Sequence, residues 1–134
     1  MTVRVRSMVV AAVVAVLLAV PAIASATSPY TLLPNYLRNE LSYKPTTLGQ
    51  GAHGGYIRLR WSFWGEKSAI ATGIFDYGDF YERARIPVKV RVDVVGTCGA
   101  IRVFRRLRVT ALRPRDARKL QRYPTTRYPM QCPE

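Results

Sequence analysis

Apolar and polar residues alternate through residues 56–64, with Ile57, Leu59, Trp61 and Phe63 on one parity and Tyr56, Arg58, Arg60, Ser62 and Trp64 on the other. A period of two predicts a half-buried strand, with the first set facing the core. Gly65, Glu66 and Lys67 then permit a reversal into residues 68–75, where Ala69, Ala71 and Gly73 form a low-profile face and Ile70, Thr72 and Ile74 a branched one. Together these segments read as a β-hairpin. After a loop over 76–85, Val88, Val90, Val92 and Val94 alternate with Lys89, Arg91 and Asp93, and Pro87 suits the start of that strand. A turn at Gly96 to Gly99 leads into residues 100–112, where Ile101, Val103, Leu107 and Val109 share a parity that Arg105 interrupts; a bulge near 104–106 would restore it. Leu33, Tyr36, Leu37 and Leu41 recur at helical spacing with Pro34 in the first turn, which predicts a short helix over 34–41. Residues 43–48 read as an extended edge segment, and 114–122 as one or two helical turns. Four clear strands, a possible fifth and small peripheral helices predict a mainly β fold, a small antiparallel β-sandwich or partly open barrel.

The first 26 residues follow another pattern. Arg4 and Arg6 precede an uncharged apolar run from Met8 to Val20, then Pro21 and a small-residue end at Ala24, Ser25 and Ala26. This order predicts a signal peptide, residues 1–26, cleaved after Ala26, and a single secreted, extracellular β-rich domain over 27–134. The rival is an uncleaved anchor, but the run from Met8 to Ala24 is interrupted by proline and falls short of the roughly 20 residues that span a bilayer. After cleavage no integral membrane span is expected.

Export changes the reading of the cysteines and the charge. Cys98 and Cys132 are the only two, and an oxidising compartment predicts one disulfide between them, tying the proline-rich C-terminal tail to the domain. Two of the 21 Lys and Arg and none of the eight Asp and Glu lie in the first 26 residues, leaving a net charge of +11 on residues 27–134. Such a basic protein is drawn to polyanions, with attraction that falls as salt rises; the competing reading is that the charge serves solubility alone.

Trp61 to Trp64 with Gly65, the Ala69, Ala71, Gly73 alternation, Pro87 with Val88, Cys98 with Gly99, and Phe104 through Leu107 to Val109 form a pattern. Across roughly residues 45–112 it resembles that of small secreted actinobacterial proteins of unknown function. The chain departs from it in the loop over 76–85, which lacks a further cysteine pair, and in a shorter small-residue run. The resemblance implies export and a compact β domain, and carries over no catalytic residue.

Motifs for chemistry are sparse. Gly49, Gly51 and Gly54 match a dinucleotide-binding spacing, but a strand rather than a helix N-terminus follows them, so a glycine turn is the better reading. His53, the single histidine, lies in that turn without a nucleophile placed beside it. Asp76, Asp79 and Glu82 fall in an aromatic loop with Phe75, Tyr77, Phe80 and Tyr81; a weak calcium site or a carboxylate pair competes there with an ordinary hairpin loop. Trp64 and Tyr56 on the outward parity would either stack on a ligand or cover a second layer. No enzyme activity, cofactor or metal is expected.

The strongest remaining signal is the outward parity of three strands: Arg58 and Arg60, Lys89 and Arg91, then Arg102, Arg106 and Arg108, with Asp93 the one acid among them. If the strands are neighbours, Arg58, Arg60, Lys89, Arg91, Arg106 and Arg108 form an anion-binding patch for cell-wall polymer, phospholipid headgroups or nucleic acid. Long arginine stems covering apolar surface are the competing explanation. The alternative function is a secreted protease inhibitor, or another domain that binds an extracellular protein, presenting the loop over 76–85.

Overall fold

The computed structural model describes residues 28–49, 53–123 and 130–134. The predicted signal segment and its cleavage site therefore lie outside the described residues. Among the described residues no helix is long and apolar enough to cross a membrane.

The strands are β1 (Leu33–Asn35), β2 (Glu40–Ser42), β3 (Leu48–Gly49), β4 (Gly54–Trp64), β5 (Ser68–Gly78), β6 (Arg83–Cys98) and β7 (Ile101–Ala111), followed by one short helix, α1 (Ala117–Gln121). β3 to β7 form an antiparallel half-barrel sheet in sequence order, and β1 and β2 pair separately. Leu32 bridges the two, donating its N–H to the Arg102 carbonyl (2.9 Å) and accepting from the Phe104 N–H (2.9 Å). Asn35 Nδ2 donates to the Thr47 carbonyl (3.1 Å), so the small sheet also reaches the chain entering β3.

Alternation explains β5 and β6 directly. Ala69, Ala71 and Phe75 on one strand and Ile86, Val88, Val90 and Val92 on the other are buried, each branched side chain contributing about 1.5–3 kcal/mol by leaving water. The small face of β5 is the inner one. It gives room to Trp61 and Trp64, which meet edge to face at 4.6 Å, and Trp64 packs in turn on Phe104. Leu120, Tyr123 and Met130 complete the core from α1 and the tail.

Strand β4 departs from its predicted alternation. Ile57 pairs with Ile74 and Arg60 with Thr72, so Arg58 and Leu59 together oppose Gly73; Trp61 pairs with Ala71 and Phe63 with Ile70, so Ser62 is a second extra residue. Each bulge reverses the parity beyond it. Tyr56 and Leu59 are therefore buried, Trp64 joins the core and Phe63 is 51% exposed, which corrects the expected placing of Tyr56, Trp64 and Phe63. Both indoles are anchored: Trp61 Nε1 donates to the Pro45 carbonyl (2.7 Å) and Trp64 Nε1 to that of Thr31 (3.0 Å).

Three further expectations are corrected. The segment 34–41 is no helix: Leu33 and Pro34 enter β1, one 3-10 turn spans Tyr36–Arg38, and Asn39 in the left-handed region (φ 48°) turns the chain into β2. Fully burying Leu33 against the half-barrel outweighs helical spacing. The loop over 76–85 shrinks to four residues, because Asp76, Tyr77 and Gly78 pair with Arg85, Ala84 and Arg83. β6 and β7 keep one register from Val88 with Ala111 to Cys98 with Ile101, without an inserted residue near 104–106. The irregularity falls instead on Val94, which has a positive φ (55°) and, against the expected valine face, is 50% exposed, and Val103 and Phe104 are both buried.

The Cys98–Cys132 disulfide is present, with Cα atoms 5.5 Å apart. Arg105 secures the same tail by donating to the Met130 carbonyl (2.9 Å) and to the Thr97 carbonyl. Its side chain lies over Gly96, where a Cβ would sit 2.7 Å from Arg105 Nε.

Candidate anion-binding face

Strand order and register decide whether the predicted cations meet. Across β4 to β7 the outer positions form rows. One row holds Arg60, Thr72, Lys89 and Thr110; the next holds Phe63, Ile70, Arg91 and Arg108; a third holds Ser68, Asp93 and Arg106. Arg60, Lys89, Arg91, Arg106 and Arg108 thus share one solvent-facing side of the sheet, all exposed. Arg58 is exposed but occupies the first β4 bulge with φ 53°, so the two-residue alternation does not assign it to that face. Arg102 is engaged elsewhere, donating to the Pro29 carbonyl (2.9 Å).

Asp93 sits among these cations and is only 7% exposed. Arg106 Nε donates to Asp93 Oδ1 (2.6 Å) and its terminal nitrogen to Oδ2 (3.2 Å), a bidentate pair. Arg108 donates to Oδ2 at 3.0 Å, and Arg91 Nε lies 3.5 Å from the same oxygen. The hydrogen bond from Arg106, reinforced by the charges of Arg106 and Arg108, holds the Asp93 carboxyl below the usual carboxylate range against its burial. The same bond raises the Arg106 guanidinium.

The β5–β6 turn is organised differently. Asp79 Oδ1 accepts the N–H groups of Tyr81 (2.8 Å) and Glu82 (2.6 Å), and its Oδ2 accepts the Tyr77 hydroxyl (2.8 Å). The backbone bond from Tyr81 leads the forces that lower its pKa. At the tip Phe80 is 98% and Tyr81 97% exposed. Glu82 turns back to accept the Tyr123 hydroxyl (2.6 Å), and that phenol is pushed up to about 12 by burial and then by this bond.

His53, Asp76, Asp79 and Arg83 line an open cleft of about 550 Å³ beside β3 and β4. Of the sequence candidates, His53, Asp76 and Asp79 meet here while Glu82 does not, but Asp79 is spent on the turn and Asp76 accepts from Arg85 Nε (3.2 Å). Gly49 and Gly54 lie in paired strands, and Gly51 is outside the described residues. Among the described residues no group of three or more His, Cys, Asp or Glu is placed to hold a metal ion.

The register places five of the six predicted cations, all but Arg58, on one face, and two features there and at the turn lie outside the sequence pattern. One is the burial of Asp93 among Arg91, Arg106 and Arg108, for which the same-parity spacing of Arg91 and Asp93 is the only sequence signal. The isolation of Phe80 and Tyr81 followed from pairing on both sides of the turn. No protein-family model, no curated protein and no solved structure matches this chain.

Proposed function

We propose that residues 27–134 form a secreted, non-catalytic module that binds an anionic polymer or surface, such as cell-wall polymer, phospholipid headgroups or nucleic acid. The supporting observation is the register that sets Arg60, Lys89, Arg91, Arg106 and Arg108 side by side on one exposed sheet face. Thr72 and Thr110 lie in the same rows and add hydroxyls, while Phe63 and Ile70 add an apolar strip. The engagement of Asp76 and Asp79 in fixed contacts favours binding over acid–base chemistry at the neighbouring cleft.

The test is retention of the domain on a heparin-like matrix over a salt gradient, beside an equally basic control protein. Each cation that neutralises a ligand anion steepens the salt dependence by about 0.7–0.9 in log–log slope, so Arg60→Gln or Lys89→Gln reduces the slope by about that much. Elution alongside the control, with no change in the variants, would return the charge to solubility.

The exposed Phe80 and Tyr81 support a second reading, a protein-binding or protease-inhibiting tip. Asp79 holds that turn in place, so little ordering entropy opposes binding there. Inhibition of a secreted protease by the wild type, lost in the Phe80→Ser, Tyr81→Ser variant, would support it. An unaffected protease panel that cuts the turn would end it.

A further inference from the structure

A buried carboxylate in the middle of an anion-attracting face cancels part of the charge the face is built from. Arg106 alone bonds both oxygens of Asp93. Yet Arg108 and Arg91 also converge on Oδ2, more guanidiniums than neutralising one carboxylate requires. Each guanidinium carries five N–H donors in a rigid plane, and the cluster spends few of them on Asp93. The three arginine side chains remain 51–55% exposed, whereas that of Asp93 is 10% exposed beneath them. Three positive groups around one negative group leave a local surplus of two charges. Gathering three long side chains also costs rotamer entropy that an isolated exposed ion pair seldom returns.

We propose that Asp93 is the positioning residue of an oxyanion site, holding Arg91, Arg106 and Arg108 so that their free N–H groups receive one sulfate ester or phosphomonoester group of a polyanion. This rests on the anion-binding reading and names its ligand chemistry. Three guanidiniums arranged about one point match the three free oxygens of a tetrahedral monoester, whereas a carboxylate or a phosphodiester offers two.

Charge and positioning predict opposite results for Asp93→Asn. The substitution adds one positive charge, so diffuse attraction predicts later elution. Loss of positioning predicts earlier elution, with affinity for heparin (sulfate ester) or phosphocellulose (phosphomonoester) falling about tenfold, as expected for a lost charge-assisted contact. The two matrices distinguish the ester, and polyglutamate is the carboxylate arm, where no such fall is expected. Unchanged or later elution of Asp93→Asn overturns the site, and an equal fall on polyglutamate overturns the ligand class. If circular dichroism shows that variant to be unfolded, Arg108→Gln is compared with Arg118→Gln, which removes the same charge from α1. A loss several-fold greater for Arg108→Gln supports the site, and equal losses overturn it. Failure of the wild type to exceed the basic control defeats the parent reading instead.

Discussion

Gly73 shows how one residue sets the shape of the sheet. It opposes two residues of β4, and a Cβ there would stand 2.8 Å from Leu59 Cδ2 and 2.9 Å from the Ile57 carbonyl oxygen. The side chain could rotate away, but the carbonyl belongs to the ladder. Gly73→Ala is therefore expected to lower stability by about 1–3 kcal/mol, read as a fall in the urea midpoint at unchanged slope. An unaltered midpoint would mean that the bulge opens freely. Part of this was legible: an isolated glycine in a strand signals a bulge or close backbone approach. The partner was not, because Arg58 in the left-handed region carries none of the residue preferences that announce such a conformation. An uninterrupted alternation through β4 consequently puts Tyr56, Phe63 and Trp64 on the wrong sides.

At the scale of elements, the strands with the cleanest alternation were the ones recovered. Val88, Val90 and Val92 of β6 and the small-residue face of β5 each bury one side, and a one-residue slip would expose the whole set, so pattern and register agree as far as Val92. Segments whose state depends on distant partners were misread. The run 34–41 has helical spacing, yet Leu32 bonds to β7 across some seventy residues and draws the following chain into a strand. The loop over 76–85 is polar and aromatic, and only cross-strand pairing such as Asp76 with Arg85 turns its flanks into β5 and β6. Its acids then become turn and ladder partners. The disulfide was legible because two cysteines in one chain have a single intramolecular pairing. The Arg105 clamp on the same tail was not, since an arginine on a core parity signals only an interrupted pattern.

Among the described residues the acids are dispersed and locally paired, while five of the cations share one sheet face. Glu40, Glu66, Asp76 and Asp116 each lie within ion-pair distance of an arginine, and Asp93 gathers three. Parity supplied the outward residues; adjacency, which turns them into a surface, came from the meander order of β4 to β7. A net charge of +11 on residues 27–134 repels itself in the folded state. Salt should therefore act in opposite senses on folding and binding. Raising ionic strength from about 0.01 to 0.15 M shortens the screening length from about 30 to 8 Å, enough to relieve repulsion between rows while leaving the close Asp93 pairs largely intact. The melting temperature is expected to rise over that range as retention on heparin falls. Heparin added at the low-salt end should raise the melting temperature too, because a ligand that binds the folded face shifts the equilibrium toward it. If salt stabilises the domain but heparin does not, the repulsion is real and the face has no partner of that kind. If salt lowers the melting temperature, the ion pairs outweigh the repulsion, and the cations are held by their own acids rather than left for an anion.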